Sequence, residues 1–109
     1  MPFPITHLCI AYEILSNTPQ IKEPCDFLLG AITPDSVQFR NNFKPNMKKI
    51  SHLCVGDEEW GKVTNNIEWQ ENVLGFFERN KNIEKVDFIY GYCTHVLADI
   101  QNNRKVIYA

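Results

Sequence analysis

The stretch Gly91-Tyr92-Cys93-Thr94-His95-Val96-Leu97-Ala98-Asp99 lies in a run where Ile83, Val86, Ile89, Tyr90, Cys93, Val96, Leu97 and Ile100 recur at helical steps. Residues 83–100 therefore read as a strongly apolar last helix. His95 and Asp99 are four residues apart, which places them on one helix face about a turn apart. An imidazole nitrogen and a carboxylate oxygen on that face can grip one metal ion. A plain i,i+4 hydrogen-bonded pair is the simpler use of the same spacing. An apolar core helix has little other use for the pair, because a buried carboxylate is costly unless paired or ligated.

Working outward, the rest of the chain also reads as helical. Thr6 is a candidate N-cap for a helix with Leu8, Ala11, Tyr12 and Leu15 on one stripe, ended by Asn17, Thr18 and Pro19. Pro24 suits the first position of a short second helix through Phe27, Leu28 and Leu29, stopping near Gly30 or Ile32. Pro34 disfavours helical geometry at Thr33. Residues 33–56 read as a long connection, a feature uncommon in compact domains unless functional or locally structured. Asp57 is a candidate cap for a long helix carrying Trp60, Val63, Ile67, Leu74 and Phe77, up to about Arg79. A polar turn at Asn80 to Asn82 precedes the last helix, and the tail from Asn102 to Ala109 has no clear stop. No strand alternation or internal repeat competes.

The 109 residues allow a single domain spanning 1–109 with a modest core. With 44% hydrophobic and 22% charged residues, disorder is not expected. A net charge of −2 argues against a broad basic surface for nucleic acid. Locally, Lys44, Lys48 and Lys49 form a small basic segment. It reads first as a solvated loop and second as a contact for phosphate or an anionic surface. No run is long and apolar enough to span a bilayer. The N-terminus Met1-Pro2-Phe3-Pro4 lacks a basic leader region, so a cytoplasmic location with reduced cysteines is expected. Cys9, Cys25, Cys54 and Cys93 show no C-x-x-C spacing and read as small buried apolar residues.

Besides His95 and Asp99, the other metal-ligating residue types in suggestive settings are Asp35, His52 and His7. Imidazole with carboxylate suits zinc, and also manganese or iron. Spacing links only His95 with Asp99. Locally, Asp35 also reads as a turn or cap residue, His52 as a loop histidine, and His7 as a solvent-facing residue of a first helical turn.

The order of four blocks goes further. These are Pro4-Ile5-Thr6-His7-Leu8, Phe27 to Ser36 with Thr33-Pro34-Asp35, Lys49-Ile50-Ser51-His52-Leu53, and Phe88 to Ile100 with Gly91-Tyr92 and His95 to Asp99. Together they make the chain resemble the zinc-dependent phospholipase C family, in its uncharacterised bacterial branch. The resemblance implies an all-α bundle of four or five helices with metal held between helices. It implies one zinc on Asp35, His52, His95 and Asp99. Asp99 would bridge to a second zinc held partly by His7, and Asp35 would be the general base.

The resemblance implies a metal-dependent hydrolase of phosphodiesters, phospholipid head groups included, working through metal-activated water. Tyr12, Phe39, Tyr90 and Tyr92 are candidates to line the site, with core packing the plainer role of Tyr90. Members of the family continue past the H-x-x-x-D helix with further His and Glu ligands. The chain is therefore expected to be a short form or a fragment. The alternative reading is a non-catalytic metal-binding or structural helical domain that forms a homodimer through exposed apolar surface.

Overall fold

Residues 4–54 and 58–108 are described by a computed structural model of the chain. Their regular elements are α1 (Pro4–Ser16), α2 (Pro24–Ile32), a 3-10 helix (Thr33–Phe39), α3 (Asn46–Ser51), α4 (Asn66–Asn80) and α5 (Val86–Tyr108). The all-α expectation holds, and the described residues contain no strand. None of the described helices is long and apolar enough to cross a membrane.

Local chemistry explains most element boundaries. Pro24 opens α2, where its missing N–H is no loss. The Thr33 hydroxyl donates to the Leu29 carbonyl, and Pro34 then enters the first turn of the tighter 3-10 helix. Asn65 caps α4 by accepting from the Glu68 N–H, while its own amide donates to the Glu68 carboxylate. The pair is reciprocal like a capping box, but the Asn65 backbone N–H goes to the Glu58 carboxylate instead of Glu68.

Two glycines set the central packing. α2 and α5 cross so closely that a Cβ at Gly30 would fall onto the Phe88 carbonyl oxygen, and one at Gly91 onto that of Phe27. Only a residue without Cβ permits backbones this close. On one side of α5 lies a core of Cys54, Val63, Trp69, Val73, Ile89, Cys93, Val96 and Ile100. Ala11, Phe27 and Ala31 make a smaller core between α1 and α2. The buried Asp87 carboxylate accepts the backbone N–H groups of Lys22 and Glu23 at 2.9 and 2.8 Å, tying the approach to α2 onto the start of α5.

Several expectations need correction. The stretch 33–56 is not one irregular connection: it carries the 3-10 helix and α3. The helix expected to start at Asp57 starts at Asn66, and Asp57 itself lies outside the described residues. Trp60 and Val63 sit in a loop held by the Glu58 carboxylate, which takes the Thr64 N–H, the Thr64 hydroxyl and the Asn65 N–H. Thr6 lies inside α1 rather than capping it, and α5 starts at Val86 and continues to Tyr108. Cys54 and Cys93 are buried as expected, whereas Cys9 and Cys25 are exposed.

Candidate metal centre

Four separate segments deliver the candidate ligands. α1 brings His7, the first turn of the 3-10 helix brings Asp35, the C-terminal end of α3 brings His52, and α5 brings His95 and Asp99. All five residues singled out from the sequence meet. His7, His52, His95 and Asp99 are buried, and Asp35 is the most exposed, its side chain 13% accessible.

His52 Nε2 lies 3.1 Å from Asp35 Oδ1, 3.2 Å from Asp99 Oδ2 and 3.3 Å from His95 Nε2. His95 Nε2 lies 3.5 Å from Asp35 Oδ2 and 3.4 Å from Asp99 Oδ2. A tetrahedron with zinc bonds of roughly 2.0–2.1 Å has edges of about 3.3–3.4 Å. The His52–Asp99, His95–Asp99 and His52–His95 separations share one atom per residue and match that edge, while Asp35 turns one oxygen to His52 and the other to His95. On the other side, Asp99 Oδ1 lies 3.1 Å from His7 Nε2, and the His7 and His95 rings stack with centroids 3.4 Å apart. The His7–Asp99 approach lacks hydrogen-bond alignment. Asp99 Oδ1 and both His7 nitrogens are therefore buried without a hydrogen-bond partner. Orphaned buried polar atoms of this kind call for an ion or other partner.

Both rings of the central pair are oriented from outside. His95 Nδ1 donates to the Ala31 carbonyl at 2.6 Å, and His52 Nδ1 donates to the Lys48 carbonyl at 2.8 Å. A carbonyl can only accept, so Nδ1 carries the hydrogen in each ring and the neutral rings turn lone pairs inward. Two Nε2 lone pairs and two carboxylates then face one another, an acceptor-only arrangement that requires positive charge at its centre. Two overlapping triads, His52–His95–Asp99 and His7–Asp35–His95, each bring three donor atoms close enough to share a divalent cation.

Without a cation, a proton takes its place: the His95 ring holds a second hydrogen on Nε2, facing the carboxylates. Burial pushes the Asp35 carboxyl up, but hydrogen bonds from His52 and His95 and the His95 and Lys48 charges hold it well below the usual carboxylate range. Burial acts likewise on Asp99, and contacts with His52, His7 and His95 outweigh it, so Asp99 also stays ionised. Burial alone would lower His95, yet Asp35 and Asp99 raise it to about 9. His52 is raised against its own burial by the same two carboxylates.

Of the supporting residues, Tyr92 is a candidate from the sequence, whereas Trp69 and the role of Trp60 beside His52 are not. Trp69 Nε1 donates to the His52 carbonyl at 2.8 Å, the Trp60 ring tilts against the His52 ring, and the Tyr92 hydroxyl donates to the Ser51 carbonyl. Leu53 ends α3 at φ 60, in the left-handed region. The Cys54 N–H returns to the Lys49 carbonyl and the Leu53 N–H to the Ile50 carbonyl, completing a Schellman motif. That position usually holds Gly, and Leu hides the signal. Of the aromatic residues considered for the site, Tyr92 packs on Phe76 and Phe88. Tyr90 packs on Phe77, and Tyr12 and Phe39 are largely exposed.

A family model described as zinc-dependent phospholipase C matches residues 6–101. No curated protein and no solved structure matches the chain.

Proposed function

The chain belongs to the zinc-dependent phospholipase C family, and from that premise we propose that it is a metal-dependent hydrolase of phosphodiesters, phospholipid head groups among them. The observation that carries the reading is the inward ring of acceptors whose N–H groups are all spent on outer carbonyls. In this reading Asp35, His52, His95 and Asp99 hold zinc, and His7 with Asp99 Oδ1 offers a place for a second ion. A zinc ion so held supplies a water acidic enough to act as a nucleophile near neutral pH, and positive charge for a phosphoryl oxygen. Asp35, ionised and nearest solvent, accepts the proton of the attacking water. Ala31 and Lys48 fix the two imidazoles through their carbonyls, and Asp99 divides its oxygens between His7 and the His52–His95 pair.

Two measurements test the reading. Elemental analysis of protein purified without added metal is expected to give about one divalent ion per chain, or two where His7 takes part. The chain is expected to hydrolyse bis-p-nitrophenyl phosphate, and His95→Ala to abolish that activity. Equal rates for both proteins would assign any hydrolysis to something else. Stoichiometric zinc without turnover would leave the non-catalytic metal-binding reading in its place.

A further inference from the structure

A zinc ion balanced by Asp35 and Asp99, with two neutral imidazoles, carries no net charge. A phosphodiester is an anion, and the chain itself is net negative. Another cation beside the ring would add long-range attraction to the zinc's own hold on a phosphoryl oxygen. α3 supplies one. Lys48 Nζ lies 3.5 Å from Asp35 Oδ1, and its side chain is 20% accessible. It stands next to Asp35, the most exposed ligand candidate.

Two features separate Lys48 from a loosely solvated lysine. First, its backbone is fixed to the ring: its carbonyl accepts from His52 Nδ1, and the Ser51 hydroxyl donates to the Pro34 carbonyl at 2.8 Å, locking α3 to the Asp35 segment. Second, its head group is underused. A closed ammonium–carboxylate hydrogen bond is about 2.7–2.9 Å long. The Asp35 contact is longer, and an ammonium has three donors to place. We propose that Lys48 receives a non-bridging phosphoryl oxygen of the phosphodiester at the mouth of the ring, so that the site selects anionic phosphoryl groups. This rests on the hydrolase reading for its substrate class, and on Lys48 itself for the binding.

The test uses the full chain loaded with one equivalent of zinc, with inorganic phosphate as the binding probe and bis-p-nitrophenyl phosphate as the substrate. Lys48→Gln is expected to keep zinc affinity within about threefold while weakening phosphate binding and raising KM by about tenfold or more, the scale of one charge-assisted hydrogen bond. Lys48→Arg is expected to recover most of the phosphate affinity. Added potassium chloride is expected to weaken phosphate binding more in the wild type than in Lys48→Gln. Unchanged phosphate affinity and KM in Lys48→Gln would overturn the proposal, with hydrolysis itself intact. Loss of zinc affinity in both variants would also overturn it, leaving Lys48 as a support for Asp35. A zinc-loaded wild type that binds no phosphate, or a chain that takes up no zinc, would overturn it too. Lys48-dependent phosphate binding without turnover would uphold it and remove the hydrolase reading instead.

Discussion

His52 is fastened on every side. Its N–H joins the α3 ladder, its carbonyl takes the Trp69 indole N–H, its Nδ1 donates to Lys48, and Trp60 leans on its ring. A ligand held this way has little freedom to lose when it binds a cation. Trp69→Phe keeps most of the packing and deletes one donor, leaving a buried carbonyl unpaired. We expect a loss of about 1–3 kcal/mol in urea unfolding with an unchanged slope, and zinc affinity lower by about tenfold or more. Wild-type zinc affinity in that variant would show that the indole contributes to the fold alone. At this scale the sequence was legible unevenly. His95 and Asp99 announce themselves by spacing. Asp35, His52 and His7 do not, because nothing local in a chain reports that residues far apart converge. Only the order of the four blocks pointed to them. Locally, His7 reads as a solvent-facing residue of a first turn, whereas the fold buries it against His95.

The decisive element contact is the crossing of α2 and α5. It carries the Ala31 carbonyl to His95, so the same contact that packs the helices also aims a ligand. Gly91→Ala is expected to force the helices apart, costing about 3 kcal/mol, at the upper end for overpacking, and to lower zinc affinity as the His95 contact opens. Gly75→Ala is the control. A Cβ at Gly75 meets only the end of the flexible Arg79 side chain, at 3.3 Å. It is expected to stabilise α4 by roughly 0.5–1 kcal/mol, because Gly costs a helix more backbone entropy than Ala. Thermal or urea melts of both variants check the opposite signs. Element boundaries were the least legible part. Trp60 and Val63 mimic helical steps, but the Glu58 carboxylate commits that segment to a loop. The start of α4 carried a readable signal in Asn65 and Glu68, a capping pair that outranks Asp57. The end of α3 carried none, since Leu53 occupies a position where Gly would have marked the stop.

Across the whole molecule, the ring couples stability to pH. In protein stripped of metal, His95 titrates near 9 rather than near 6.5, so it favours the fold fully below about 6.5. That contribution fades as pH rises through about 9. Asp35 and Asp99, both depressed, favour the fold above about 3.8 and lose that effect as pH falls well below it. Urea midpoints measured in a chelator are therefore expected to be highest between about pH 4 and 6.5 and to decline toward pH 9 and above. Added zinc is expected to reverse the alkaline decline, because its ligands must shed those protons. A stripped protein whose midpoint climbs steadily to pH 9 would contradict this. The all-α class was legible from periodicity, which is a whole-chain property. The α2–α5 crossing was not, because two isolated glycines carry no periodic signature.

The ring joins residues 7, 35, 52, 95 and 99, so it can form only after both ends of the chain have met. Contacts between residues so far apart in sequence form later than local helical ones, because their loop-closure entropy must be met first. The centre is therefore expected to assemble late in folding, after α2 and α5 have docked. His7→Ala should speed unfolding in stopped-flow measurements while leaving the folding limb nearly unchanged. A cation held there would act as a latch on the finished structure, prolonging its lifetime without hastening its formation.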